Sequence, residues 1–75
     1  MAALLYKGFL IIATGVFDKD ARLWLPKADI TWWSIAGREY HSITDSTHSF
    51  TAKQEAETFA VEMAKAWIDE HSTTS

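Results

Sequence analysis

The chain contains no cysteine and no asparagine. The first absence excludes disulfides, thiolate zinc sites and cysteine nucleophiles together, and the second excludes N-glycosylation sequons. Glycine occurs three times, always singly, so there is no glycine-rich loop to cradle a phosphate. Positive charge is also in short supply: seven Lys and Arg stand against ten Asp and Glu, for a net charge of −3. A protein that neutralises phosphates needs the opposite balance. The longest uncharged stretch of the apolar N-terminal segment, Gly8 to Phe17, spans ten residues, half of the ~20 that cross a bilayer as a helix.

What remains is 75 residues of which 48% are hydrophobic, with four Trp, two Tyr and four Phe. That composition builds a packed core and not a disordered tail. A chain this short buries only ~60% of its unfolded surface, so its core alone must supply the stability. One domain is expected over residues 1–71, followed by a polar tail over 72–75 that frays. The opening MAALLYKGFLIIATGVF has the greasiness of a secretory signal. However, Lys7 sits within the run, no small-x-small cleavage site precedes Asp18, and Ile11, Ile12, Thr14 and Val16 favour a strand. The expectation is a cytoplasmic protein with no membrane partner.

Along the chain, the spacing predicts three strands and then a helix. The first strand runs from about Leu4 to Phe17, with Leu5, Phe9, Ile11, Ala13 and Phe17 on one side and Tyr6, Leu10, Ile12 and Val16 on the other. Asp18-Lys19-Asp20 forms a turn. The second strand starts near Arg22, with Leu23 and Leu25 opposite Trp24, meets Pro26 as a bend or edge position, and continues from Asp29 to Ala36 with Trp32 and Trp33 on opposite faces. Gly37-Arg38 is read as a hairpin turn, and Glu39 to Thr44 as the third strand, with His41 and Ile43 facing away from Tyr40 and Ser42.

After the polar loop 45–49 the apolar period changes from 2 to 3.6. Thr51 and Gln54 form a capping-box pattern. Ala56, Phe59, Ala60, Met63 and Trp67 then mark one stripe of a helix from about 52 to 70, flanked by Val61, Ala64 and Ile68. The expected fold is α+β: a three-stranded antiparallel sheet with one amphipathic C-terminal helix on one face.

One helix covers one face of such a sheet, yet both faces carry large apolar side chains. Patches of that size are rare on monomers, so a homodimer or an unidentified protein partner is expected to cover the second face; the alternative is that the first strand bends or twists at Gly8 and Gly15, so that its two halves offer different faces to one core. Phe9, Ile11, Trp24, Trp32 and Trp33 are the candidate contact residues, being large, apolar and on strands. The chief rival is a nucleic-acid surface on the aromatic sheet, with Arg22 and Arg38 as its cations. Charge argues against it: residues 1–50 are balanced, and residues 51–75 carry the whole excess of −3.

No catalytic, metal or cofactor site is expected. His41, His48 and His71 lack metal-ligand spacing. Asp45 and His48 among Ser42, Ser46 and Ser49 have no nucleophile elbow and read as turn and capping residues. Asp18-Lys19-Asp20 lacks the glycine and closing glutamate of a calcium loop. The reading is therefore non-enzymatic.

Tyr6-Lys7-Gly8-Phe9, the mid-sheet tryptophans, Phe50-Thr51-Ala52-Lys53-Gln54-Glu55-Ala56-Glu57 and Ala64-Lys65-Ala66-Trp67-Ile68-Asp69 are similar to a group of short, uncharacterised bacterial hypothetical proteins built as a β-meander plus helix. That resemblance implies a bacterial source and a sheet-plus-helix fold, and no activity. The Phe-Thr-x-x-x-Glu-Ala stretch also resembles the helix start of integrase-type and AP2-type DNA-binding domains. Those domains read the major groove with a three-stranded sheet that is basic where this one is balanced. The same stretch resembles antitoxins of the HicB type, without their Gly-Asp lead into the helix.

Overall fold

The computed structural model describes residues 2–72. Its elements are β1 (Ala2–Tyr6), β2 (Phe9–Asp18), β3 (Leu23–Ser34), β4 (Gly37–Thr44) and α1 (Lys53–Ser72), and the strands form one antiparallel sheet in the order β1-β2-β3-β4. The architecture is α+β with the helix last, but with four strands in place of the expected three. Apart from Ser72 at the end of α1, the expected tail lies outside the described residues.

The extra strand comes from splitting the long N-terminal run. Lys7 and Gly8 take φ of 51° and 84°, so Tyr6 pairs with Phe9 across a two-residue turn. Positive φ at both central residues is the geometry whose twist suits a tight hairpin. The turn also re-sorts the faces. Tyr6 joins Phe9, Ile11, Ala13 and Phe17, and Leu5 joins Leu10, Ile12 and Val16, because directly paired residues share a face.

Pro26 does not break the second run. It sits buried within β3, opposite Gly15. Its carbonyl accepts from the Asp45 amide at 3.4 Å, so the side on which proline lacks an N–H faces the place where β4 has already ended. Beyond it, Trp24 exchanges two backbone hydrogen bonds with Phe50, of 2.7 and 2.9 Å, which finishes the ladder that the proline interrupts. At the next hairpin Ser34 pairs with Gly37. The turn residues are therefore Ile35 and Ala36, not Gly37 and Arg38, and Gly37 supplies the positive φ of 121°.

The helix lies mainly on β2 and β3. Its buried line is Ala56, Ala60, Ala64 and Ile68; the last three pack against Ile11, Ala13, Ala28 and Ile30, and Ala56 lies over Gly15. Phe59, Met63 and Trp67 flank that line and are only half-buried. The stripe is thus rotated from the one read off the large residues, because small side chains let the helix approach the sheet. The approach is tight at Gly15, where an added Cβ would stand 3.0 Å from Lys53 Cγ and 3.1 Å from the Lys53 carbonyl oxygen. The Ala52 carbonyl accepts from Glu55 and Ala56 at 3.2 and 3.3 Å, so Ala52, not Thr51, stands at the N-cap.

Candidate interaction face of the sheet

Strand register divides the sheet into a covered face and an open one. Four of the five expected contact residues are on the covered face, so the five do not form one surface. Ile11 is fully buried in the core beneath α1. Phe9 and Trp32 pack with Trp67 at the C-terminal end of the helix, with ring centroids 5.3 Å apart for Phe9–Trp32 and 5.5 Å for Trp32–Trp67. Trp24 packs on Phe17 at 5.0 Å at the other end. Trp33 alone points away from the helix, and it is 77% exposed.

The open face carries Ala3 and Leu5 from β1, then Leu10, Ile12, Thr14, Val16 and Asp18 from β2. From β3 it carries Leu25, Lys27, Asp29, Thr31 and Trp33, and from β4 Arg38, Tyr40, Ser42 and Thr44. Leu5 is 73% exposed, Val16 44% and Tyr40 72%. The face is polarised sideways, apolar on β1 and β2 and more polar on β3 and β4. A hollow of about 290 Å³ opens in it among Leu5, Leu10, Thr31, Trp33 and Arg38. Leu5, Val16 and Tyr40 were not among the expected contacts. Recognising Lys7-Gly8 as a turn would have placed Leu5 beside Leu10, and simple alternation already put Leu10, Ile12 and Val16 together.

Charge on this face is balanced: Lys27 and Arg38 against Asp18 and Asp29. Asp29 accepts from Ser42 Oγ at 2.5 Å, and among the described residues Lys27 has no carboxylate partner. Arg22, at φ 57° in the loop between β2 and β3, and Arg38, near the β3–β4 hairpin, flank opposite ends of β3. At ~3.3 Å per residue that strand holds them roughly 35 Å apart, so they are not one basic patch.

The histidines are engaged separately. Trp67 is stacked between His41 at 4.7 Å and His71 at 3.9 Å. His71 Nδ1 donates to the Trp67 carbonyl at 2.9 Å, since that oxygen can only accept. His48 Nδ1 lies 2.9 Å from Asp45 Oδ2, and the His48 ring stacks on Phe59 at 4.7 Å. Asp45 Oδ1 accepts from the Thr47 hydroxyl and amide at 2.6 and 2.7 Å, which with the His48 contact holds the carboxyl down at about 2. This is an Asx-type turn closing the loop before α1; Ser42, on β4, is turned to Asp29. Among the described residues no group of three or more His, Asp or Glu side chains is placed to hold a metal ion. No described helix is long and apolar enough to cross a membrane.

Among the described residues, the fold and this face together define a four-stranded β-meander whose one helix leaves one side of the sheet uncovered. The chain matches no protein-family model and no curated protein.

Proposed function

We propose that the chain is a non-enzymatic interaction module that self-associates through the open face of its sheet. The observation that carries this reading is the set Leu5, Leu10, Ile12, Val16 and Leu25. All five lie on the side away from the helix, beside the exposed rings of Trp33 and Tyr40. Full burial of such side chains is worth ~1.5–3 kcal/mol each, and a contiguous apolar surface of this kind is an interaction site far more often than a solvated one. The opposite side of the sheet packs against α1, so the open face is the side of the sheet that the core does not use.

The nucleic-acid alternative has the aromatic rings it needs but not the charge. Two cations on the face are matched by two carboxylates, and Arg22 and Arg38 are too far apart to grip one stretch of backbone. Light scattering over a micromolar concentration series tests the main reading: mass should rise toward that of a dimer. A compact monomer throughout would remove it, and a salt-sensitive DNA shift lost on replacing Arg22 and Arg38 would put the rival in its place.

A further inference from the structure

We infer that two copies stack open face on open face across a two-fold axis perpendicular to the strands, so that Lys27 of each copy meets the partner's Asp29. The inference rests on the self-association reading and adds to it the partner's orientation and register.

The sideways polarity of the face selects the axis. A two-fold running along the strands would exchange the two halves and lay Leu10 and Ile12 on the polar side of the partner. A two-fold perpendicular to the strands keeps β2 over β2 and β3 over β3, with strand directions opposed. The β1–β2 half then lies over its own counterpart and not over the polar one, with the strands of the two sheets still aligned.

Charge sets the register. Lys27 and Asp29 both project onto the open face from β3, two residues apart with Ala28 between them turned to the core. An axis passing at Ala28 brings each lysine onto the partner's aspartate twice over. The same axis passes at Ala13, which pairs with Ala28; it therefore sets Leu10 over the partner's Val16, Ile12 over the partner's Thr14 and Leu25 over the partner's Thr31. Moving the axis to either charged residue puts like charges together. A face whose charges cancel in this alternating way is complementary to itself, whereas a polyanion finds no surplus of positive charge on it.

β2 and β3 carry the overlap: their 10 and 12 residues, at ~3.3 Å per residue and ~4.8 Å per strand, project to roughly 350 Å² before side-chain relief is added, a small interface beside the ~800 Å² per partner of a standard one.

The experiment uses two charge reversals made separately, Lys27→Asp and Asp29→Lys, each checked for folding by circular dichroism. In the inferred arrangement each variant repels itself, and its self-association should weaken by about tenfold or more. An equimolar mixture restores both opposite-charge contacts, so it should form a heterodimer of wild-type affinity, identified by native mass spectrometry. Should either variant unfold, Lys27→Glu and Asp29→Arg repeat the exchange. Variants that self-associate like wild type, or a mixture that regains nothing, would overturn the orientation while leaving self-association standing. A wild-type chain that stays monomeric would remove both.

Discussion

The Tyr6 hydroxyl donates to Asp69 Oδ1 at 2.9 Å across 63 residues of chain, and Lys7 Nζ reaches the same oxygen at 2.7 Å. The first hairpin is thereby tied to the last turns of α1. Lys65 adds its ammonium over the Tyr6 ring at 5.4 Å. The hydrogen bonds from Lys7 and Tyr6 hold the Asp69 carboxyl below its ordinary range, and the same carboxylate raises both the Tyr6 hydroxyl and the Lys7 ammonium.

The pH dependence follows in sign from these shifts. Asp69 and Asp45 are both lowered, so their contribution to stability is complete above about pH 4 and is lost as pH falls through the lowered values. Tyr6 and Lys7 are raised, so theirs is complete below about pH 10 and is lost above it. Thermal melts of wild type should therefore decline at both extremes. An Asp45→Asn, Asp69→Asn double variant, less stable at neutral pH, should show a flatter acid limb; an unchanged limb would mean these carboxylates do not govern acid stability.

Ile11 and Trp33 separate folding from association. Ile11→Ala empties a fully buried site between sheet and helix and should cost ~2–5 kcal/mol in chemical denaturation. Trp33→Ala removes a ring that is 77% exposed and should leave the monomer's stability within ~0.5 kcal/mol of wild type while weakening self-association.

Gly15 is a test of helix approach. Its backbone is ordinary for a strand, and valine has the better strand propensity. Even so, a side chain there meets the Lys53 carbonyl and the Ala56 methyl, 3.1 and 3.4 Å from the first added carbon. Gly15→Val should destabilise by ~1–3 kcal/mol as an overpacking change. A neutral or stabilising result would show that the start of α1 can shift freely.

Trp67 anchors the far end of the helix, packed on Trp32 at 5.5 Å and stacked between His41 and His71. Trp67→Ala should cost about 3 kcal/mol in chemical denaturation. Unchanged stability would show that this aromatic cluster is peripheral to the core.

How far the fold was legible in sequence depends on where one residue's local preference agreed with its neighbours'. The helix was legible because Ala56, Ala60 and Trp67 recur with the helical period. Its central line is harder to read, because Phe59, Met63 and Trp67 carry the greater apolar bulk while the smaller Ala60 and Ala64 sit deepest against the sheet. The β1–β2 hairpin was missed because its turn is Lys-Gly, without the asparagine or aspartate that usually marks positive φ at the first position. Pro26 reads as a bend or edge position in sequence, because only the partner strands show that its missing N–H faces no ladder. The two-faced sheet was legible from Trp32-Trp33, yet which face the helix takes depends on the Lys7-Gly8 turn and on small residues at 13, 15 and 28. Those are packing facts that alternation alone does not carry.

Sedimentation equilibrium of wild type beside Ile12→Lys is the most direct trial of the open face. Ile12 sits on that face between Ala3 and Asp29, away from the core, so the substitution should spare the fold. Wild type should approach twice the 8.5 kDa chain mass at micromolar concentration, and the lysine variant should stay at the single-chain mass. Equal masses for the two proteins, whether both monomeric or both dimeric, would contradict a role for this face in self-association.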